Sequence, residues 1–541
     1  MFRDHQSMHL ASQERFLFIK NVFNITKSYI TAVFTGICLI FIFPRFDISP
    51  LAWIALVPLI VSNLISKEIN KTFLSGWIAG IVYFGGTVYW ITNPINNYGG
   101  VPLIPSIAIT GLLVFYLAIY VGLFSFTISA LHRKIKLPVT FTAPFIWTSL
   151  ELIRTYLLSG FPWVALGYSQ YKSLIFIQIA DITGIYGVSF IIVLVNCLIA
   201  DFIVFQIKKR EIPFNPYLPL ILAAGYAGIV ILTVLIYGYI RLHHEYKTTE
   251  ELRVALIQGN IEQGIKWDKE YRKAVLEKYI ALTKSTVSQD TDLIIWPETA
   301  TPFYFGTDKE YSEELVSFVK ELNTYLFFGS PRIKIFTGKE YFLTNTAYLL
   351  SPDGKSIGSY DKIHLVPFGE YVPLKWLFPF LHRIVESMGD FVAGNEYTVF
   401  EMPKGKFSTQ ICFEIIFPGL TRKFVNRGAD FLVTITNDAW FGRSSAPYQH
   451  FSKAIFRAVE NRVPVIRVAN TGISGFIDVR GRIIQSSEIF KDGVFTDTIK
   501  LSKRKSFYTR YGDVFAYICI VVTVTLIINN ILWREKAHGI R

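Results

Sequence analysis

Cys412 is the residue whose sequence surroundings most directly suggest covalent chemistry. The segment Lys406–Ile411 (KFSTQI) predicts a strand and Phe417–Arg427 predicts a helix, so the thiol is expected at a strand-to-helix turn. Backbone N–H groups at the start of a helix can stabilise a thiolate or an oxyanion, which suits a nucleophilic cysteine. Position alone leaves a second interpretation open, a buried structural thiol. The chain has four cysteines, and the other three fall in long apolar runs: Cys38, Cys197 and Cys519.

A nucleophilic thiol needs a base, and Asp292–Thr299 (DLIIWPET) offers one. An apolar strand followed by Trp-Pro-Glu places Glu298 at the end of a buried strand, where burial raises the pKa of a carboxyl group. A carboxylate with a raised pKa is an effective general base. A glutamate in a surface turn is the alternative if this segment is considered alone.

The segment Tyr360–Pro373 (YDKIHLVPFGEYVP) brings further polar groups into a loop rich in proline and aromatic residues. Lys362 is a cation that could hold a developing negative charge, and Glu370 is a second carboxylate that could hold the lysine or form a simple loop ion pair. His364 is interpreted as a structural or solvated histidine. No cysteine or second histidine lies at ligand spacing from it, so no metal site is expected.

The order and local setting of these groups resemble the carbon–nitrogen hydrolase (nitrilase) superfamily. Glu298 in WPET, Lys362 in YDKIHLVPFGEY and Cys412 in ICFEI follow the chain order of the superfamily's Glu-Lys-Cys triad, and the resemblance covers residues 250–500. It implies an α-β-β-α sandwich with these three residues as the catalytic groups. By the same resemblance four residues support the site or bind substrate: Glu370, Trp267, Phe413 and Glu414.

The composition requires a large membrane part. Of the 541 residues 51% are hydrophobic, and the mean hydropathy is +0.37. A helix needs about 20 apolar residues to cross a bilayer. Apolar runs of suitable length lie near 28–45, 48–66, 73–92, 103–131, 139–158, 174–206, 217–240 and 514–532. The expected fold class is therefore a polytopic α-helical membrane bundle of about eight spans that carries an α/β nitrilase-like domain.

Loop charges predict the orientation, because Lys and Arg accumulate in short cytoplasmic loops. The gaps after the even-numbered spans are basic, while the gap at 93–101 has no charge. This predicts a cytoplasmic lead at 1–27, seven spans within 28–245, a periplasmic catalytic domain at 250–500, a final span at 513–532 and a cytoplasmic tail at 533–541. The same asymmetry accounts for much of the net charge of +13, so no nucleic-acid partner is expected.

An outward nitrilase-like domain between a seventh and an eighth span resembles the membrane-embedded branch of the superfamily that acylates bacterial lipoproteins. The GFPW segment at 160–163 and IEQGIKW at 261–267 fit that branch, whereas the longer polar lead departs from it. The resemblance implies an inner-membrane enzyme with a phospholipid acyl donor, the sn-1 chain of phosphatidylethanolamine. The chain would pass through a thioester on Cys412 to the α-amino group of a diacylglyceryl-modified apolipoprotein. No nucleotide-binding, dinucleotide-binding or metal-binding motif appears in a suitable context, so no cofactor is expected. The expected form is a monomer in the lipid bilayer.

Two other functions remain open at this point: a membrane-tethered amidase acting on small carbon–nitrogen compounds, and a non-catalytic scaffold that binds lipid or lipoprotein. Seven spans exceed what an anchor needs, and a scaffold would be free to lose the triad. Three aromatic segments could either enter the outer leaflet or pack inside the domain. They are Lys375–Ile384, Pro302–Phe305 and Ala439–Phe441.

Overall fold

The structure is a computed structural model, which describes residues 28–135, 137–208, 217–264, 266, 269–286, 288–336, 340–367, 369–371, 391–501 and 505–538. The described chain is a helical part followed by a two-sheet domain and a final helix. The helices are α1 Ser28–Phe41, α2 Val57–Ile65, α3 Ile69–Val88, α4 Leu103–Ile135, α5 Ala143–Tyr156, α6 Leu174–Ile177, α7 Ala180–Thr183, α8 Ile185–Lys208, α9 Tyr217–His243, α10 Arg272–Thr286, α11 Lys309–Leu322, α12 Pro418–Asn426, α13 Ala446–Asn461, α14 Phe507–Tyr511 and α15 Val514–His538.

Each predicted apolar run contains helix. Five described helical segments are long and apolar enough to cross a membrane: Ile69–Tyr98, Leu103–Ile135, Ile185–Lys208, Tyr217–His243 and Val514–Leu532. Other apolar helices are shorter, and α5 has 14 residues, which gives it a length of about 21 Å. The helical membrane class is therefore confirmed, and the number of eight spans is approximate.

The described residues of the domain between α9 and α14 form twelve strands in two six-stranded sheets. The strands are β1 Glu250–Gln258, β2 Leu293–Ile295, β3 Tyr325–Phe336, β4 Glu340–Leu350, β5 Ser356–Asp361, β6 Phe400–Met402, β7 Gly405–Ile411, β8 Phe431–Thr436, β9 Val465–Ala469, β10 Gly475–Ile477, β11 Ile483–Ser486 and β12 Gly493–Leu501. The strand orders are β12-β1-β2-β3-β4-β5 and β11-β10-β9-β8-β7-β6. In each sheet three neighbouring strands are parallel, β1-β2-β3 and β7-β8-β9, and the flanking pairs are antiparallel.

The sheets pack face to face with helices outside them, because alternate residues of each strand point to opposite faces. In β1, Leu252, Val254 and Leu256 join the core between the sheets, whereas Ala255 and Ile257 belong to a second core. That second core is completed by residues of α10 and α11, among them Leu276, Tyr279, Leu315 and Phe318. The α-β-β-α sandwich expected from the sequence is confirmed.

Buried polar contacts fasten the domain to the membrane part. Arg462, which follows α13, donates to the carboxylate of Asp181 at 2.9 Å and to the side-chain oxygen of Gln178 at 2.6 Å. Arg241 near the end of α9 pairs with the same aspartate at 2.5 Å. Because burying one charge without the other would be costly, this cluster fixes how the domain sits on the helices.

Candidate active site

Cys412 lies at the turn where β7 ends. It begins a five-residue 3₁₀ helix, Cys412–Ile416, and α12 follows at Pro418–Asn426, so the helix predicted at 417–427 is preceded by an unpredicted short one. The cysteine has a φ of +54° and its side chain is 7% exposed. Residues other than glycine rarely adopt this backbone conformation, and it is often found at functional sites.

The thiol is not a ready thiolate in this setting. Burial raises the pKa of Cys412 and the negative charge of Glu298 raises it further, while Lys362 and the hydroxyl of Thr436 oppose the shift. The thiolate stabilisation that the sequence suggested for a helix start is therefore outweighed by desolvation. Chemistry at this sulfur requires a base to remove its proton.

Glu298 follows β2 and is held at both carboxylate oxygens. Asn345 donates its side-chain N–H to Oε1 at 2.7 Å, and the backbone N–H of Asn437 donates to Oε2 at 2.8 Å. Burial raises the pKa of Glu298, Lys362 opposes that shift, and Glu370 adds to it. The raised pKa expected from the sequence is thus present, and the carboxylate has a fixed orientation.

The turn that carries Glu298 lies directly against β3. Gly329 is the residue of β3 beneath it, and a Cβ there would come 2.5 Å from the backbone nitrogen of Thr299 and 2.8 Å from Cα of Glu298. Only glycine permits this approach without displacing the turn. The Glu298 carboxylate is therefore positioned by backbone packing as well as by hydrogen bonds.

Lys362 follows β5 and forms a buried pair with Glu370. Its ammonium lies 2.9 Å from both carboxylate oxygens of Glu370, and the lysine is 1% exposed. Burial alone would lower the pKa of Lys362, but Glu370, Glu298 and Cys412 together raise it. The lysine remains a cation. Its positive charge opposes the rise in the pKa of Cys412, so the lysine can stabilise negative charge that develops at the sulfur.

Glu414 connects the nucleophile turn to the lysine loop. Its Oε1 accepts hydrogen bonds from the hydroxyl of Tyr360 at 2.7 Å and from the backbone N–H groups of Ile363 at 2.8 Å and His364 at 3.0 Å. Its Oε2 accepts from the backbone N–H of Ile411 at 2.8 Å. We therefore interpret Glu414 as a support that ties two loops together.

Phe413 faces the membrane part. Its ring lies 6.4 Å from that of Trp163, a fully buried residue of the GFPW segment, with the planes 20° apart. The indole N–H of Trp163 donates to Gln449 of α13 at 2.8 Å. The side of the site next to Cys412 is therefore aromatic and apolar, which suits an acyl chain.

Two predicted segments lie outside the described residues: Trp267 and the aromatic run Lys375–Ile384. The other two aromatic segments are described. Pro302–Phe305 packs within the domain, with Phe303 stacked on Tyr311 at 5.3 Å between ring centroids. In Ala439–Phe441 the carbonyl of Trp440 accepts a hydrogen bond from Asn93 at 2.7 Å, so this segment packs on the membrane part.

Sequence reasoning missed three side chains of the site: Asn345, Asn437 and Lys266. Lys266 is fully buried and donates to the carbonyl of Glu298 and the hydroxyl of Thr299. An asparagine inside the strand FLTNTAYLL and another directly after the buried strand FLVTIT were the available signals. Polar residues at such places need partners, but the sequence does not say which.

The arrangement combines a buried base, a buried cation and a thiol on a strained turn, from three segments that meet at the carboxyl ends of strands. A base that takes the thiol proton and a cation that receives an oxyanion are the requirements of acyl transfer through a thioester. Among the residues that the structure describes, no group of three or more histidine, cysteine or acidic side chains could hold a metal ion.

Two family models match the chain. The model described as the apolipoprotein N-acyltransferase N-terminal domain matches residues 35–198, and the carbon-nitrogen hydrolase model matches residues 253–508. The apolipoprotein N-acyltransferase of Geobacter metallireducens is 43% identical over 513 residues, which cover 94% of this chain and 96% of that protein. The apolipoprotein N-acyltransferase of Haemophilus influenzae is 34% identical and covers 91% and 92% of the two chains.

Among solved structures, a Saccharomyces cerevisiae member of branch 10 of the nitrilase superfamily aligns with a TM-score of 0.36 at 21% identity. The alignment covers 47% of this chain and 91% of that chain.

Proposed function

Because the chain belongs to the apolipoprotein N-acyltransferase family, we propose that Cys412 is its nucleophile, Glu298 its general base and Lys362 its oxyanion donor. The protein is an acyltransferase that N-acylates lipoproteins. One observation supports the assignment of residues: the Glu298 carboxylate and the Lys362 ammonium are buried and each is held by a partner, Asn345 and Glu370, and the charges of both shift the pKa of the buried Cys412 thiol.

In the first half-reaction Glu298 takes the proton of the Cys412 thiol, and the thiolate attacks the ester carbonyl of a phospholipid acyl chain. Lys362 holds the negative charge of the tetrahedral intermediate. When the intermediate collapses, the ester C–O bond breaks and the lysophospholipid alkoxide takes the proton from Glu298. The acyl chain remains on Cys412 as a thioester.

In the second half-reaction the free α-amine of a diacylglyceryl-modified N-terminal cysteine attacks the thioester carbonyl. Glu298 accepts the proton that the amine loses, and Lys362 again faces the oxyanion. The C–S bond breaks, the proton returns to the thiolate, and the product is an amide. The lipoprotein then carries three acyl chains, and the enzyme is ready for another phospholipid.

We propose the sn-1 chain of phosphatidylethanolamine as the donor group, as the resemblance implied. The membrane helices support a lipid donor on physical grounds, because extraction of a lipid into water costs about 0.8 kcal/mol per exposed CH₂. A site that joins the bundle through Phe413 and Trp163 needs no such extraction. Glu370 would hold Lys362 during both steps, and Trp267 would contact substrate.

The proposed location is the bacterial inner membrane, with the domain of residues 250–500 in the periplasm and both termini in the cytoplasm. Basic loops after the even-numbered apolar runs support this orientation. A reporter that is active only in the cytoplasm, fused after Arg541, should be active. Activity of a periplasmic reporter at the same position would reverse the assignment.

The two alternatives are not favoured. A tethered small-molecule amidase and a non-catalytic scaffold both leave the membrane part without a role, whereas the relatives match this chain through the membrane part as well as the domain. Their shared name is that of an acyltransferase acting on apolipoprotein.

The test uses the full chain purified in detergent with phosphatidylethanolamine alone. Intact-protein mass spectrometry should find one added acyl chain that neutral hydroxylamine removes and that peptide mapping places on Cys412. Cys412→Ala should abolish the adduct and the later transfer to a diacylated lipopeptide, while the protein remains folded and inserted. Acyl transfer by that variant would refute the mechanism.

A further inference from the structure

Lys266 is a fully buried lysine directly behind the proposed base, and the reaction scheme gives it no role. Its ammonium lies 2.8 Å from the hydroxyl oxygen of Thr299 and 3.2 Å from the carbonyl oxygen of Glu298. Both acceptors are neutral. Among the residues that the structure describes, no carboxylate is in hydrogen-bonding contact with this ammonium, so its lost hydration is replaced there only by neutral acceptors, which is unfavourable for stability. Its presence at this place calls for another explanation.

The two acceptors belong to consecutive residues of a strained turn. Thr299 has a φ of +47°, a conformation that is rare for a residue branched at Cβ. Such strain persists only when surrounding contacts enforce it. By donating to Glu298 and Thr299 together, Lys266 fixes the backbone from which the carboxylate of Glu298 projects.

The segment that carries Lys266 is fastened to the same carboxylate at a second point. Gln263 accepts a hydrogen bond from the side chain of Asn437 at 2.6 Å, and the backbone N–H of Asn437 donates to Glu298 at 2.8 Å. Gln263 and Lys266 therefore hold Glu298 at two points, its carboxylate through Asn437 and its backbone carbonyl through Lys266. Displacement of the segment would displace the base.

Charge gives Lys266 a second effect. Burial lowers the pKa of Lys266 to about 7, although Glu298 opposes that shift. Its positive charge in turn lowers the pKa of Glu298, in the same direction as Lys362 and against Glu370. Loss of the charge should therefore move the ionisation of Glu298 to higher pH.

We propose that Lys266 is a positioning residue for acylation, which fixes the Glu298–Thr299 turn so that the carboxylate faces the thiol of Cys412 and which favours the ionised base. The inference rests on the proposed function, because it assigns Lys266 a role through Glu298. It predicts an effect on the rate of the chemical step and on its pH dependence, with little effect on phospholipid binding.

The test compares Lys266→Met, which keeps the length of the side chain without its charge or donors, with Lys284→Met on the exposed surface of α10. Acyl-enzyme formation is followed by mass spectrometry with phosphatidylethanolamine in nanodiscs across a range of pH. Lys266→Met should slow acylation by about 10- to 100-fold with an unchanged apparent KM for the lipid. The decline of the acylation rate at low pH should begin at a higher pH than in the wild-type protein. Lys284→Met should match the wild-type protein.

A second pair of variants, at Thr299, separates the positioning effect of Lys266 from the effect of its charge. This pair also tests the proposal if Lys266→Met does not fold. Thr299→Val removes the hydroxyl acceptor and leaves the charge of Lys266, so acylation should slow without a shift in the acidic limb. Thr299→Ser should restore most of that rate. A folded Lys266→Met with wild-type rate and pH profile would overturn the inference, as would equal rates for the Thr299 variants. If Glu298→Gln also acylates normally, the proposed function itself fails.

Discussion

Glu298→Gln tests the base most directly, because the substitution changes one atom of a side chain whose contacts are known. Glutamine can still accept the hydrogen bond from Asn345 at Oε1. Its amide then opposes the backbone N–H of Asn437, which donates to Oε2 in the native protein. The variant therefore lacks the carboxylate base, and its amide N–H group faces the backbone N–H donor of Asn437.

The size of the effect follows from the thiol. Because burial raises the pKa of Cys412 even without the charge of Glu298, less than about one tenth of the thiol would be ionised at pH 8 in the variant. General base catalysis typically contributes about 10²- to 10⁴-fold. We expect acylation to fall by at least about 100-fold, which corresponds to about 2.7 kcal/mol of activation free energy.

The pH profile supplies a second, independent readout. In the native protein acylation should decline as pH falls through the raised pKa of Glu298, because the protonated carboxyl group cannot accept the thiol proton. In Glu298→Gln that limb disappears, and the rate should rise about tenfold per pH unit with ionisation of the thiol up to pH 9.

The assay measures single-turnover acylation by intact-protein mass spectrometry, with phosphatidylethanolamine in nanodiscs. Glu298→Asp keeps a carboxylate and should retain a limb of the native shape, while Glu321→Gln, on an exposed residue of α11, controls for the loss of a charge. A folded Glu298→Gln that acylates within about threefold of the native rate, or with the native pH profile, would refute the assignment of the base.

Two further substitutions test the supports. Gln449→Leu should leave the buried indole N–H of Trp163 unpaired, at a cost of about 1–3 kcal/mol, and should lower the thermal unfolding midpoint of the protein. Gln485→Leu, on the exposed strand β11, should leave that midpoint unchanged. Equal unfolding midpoints for the two variants would contradict this prediction. Glu414→Gln should slow acylation far more than Tyr360→Phe. The glutamine places an amide N–H group opposite a backbone N–H group, whereas the phenylalanine removes only one of the four hydrogen bonds to Glu414. Equal acylation rates for the two variants would show that the contacts of Glu414 with both loops are not needed.

Residue type and chain order made the candidate site predictable from sequence. Glu298 and Cys412 each follow a segment whose apolar or alternating pattern predicts a strand, and the structure places both directly after strands. Lys362 was expected only in a loop, and the structure shows that this loop follows β5. The membrane class was predictable for a similar reason, since a run of about 20 apolar residues is typical of a membrane-spanning helix. Both conclusions need only local sequence.

The number of spans was less predictable. Apolar content alone does not distinguish a helix that crosses from one that packs at the edge of the bundle. The run at 139–158 contains a helix of 14 residues, and its last turns precede the GFPW segment that packs against the domain. Hydropathy marks the whole run as apolar but does not show where the helix within it ends.

The sequence by itself indicated the proposed chemistry, because it offered the thiol, the candidate base, the cation and the membrane part. Only the tertiary structure decided what holds the base. Asn345 and Asn437 reach Glu298 across 47 and 139 positions of the chain, and Lys266 across 32. Asn345 lies in the same sheet as the strand before Glu298, and Lys266 follows another strand of that sheet, so these two hydrogen bonds depend on strand order. Asn437 follows a strand of the other sheet, so its hydrogen bond depends on how the two sheets are stacked. The hydrophobic pattern along one strand determines which face of that strand is buried. The tertiary fold determines which residues of other strands that face contacts.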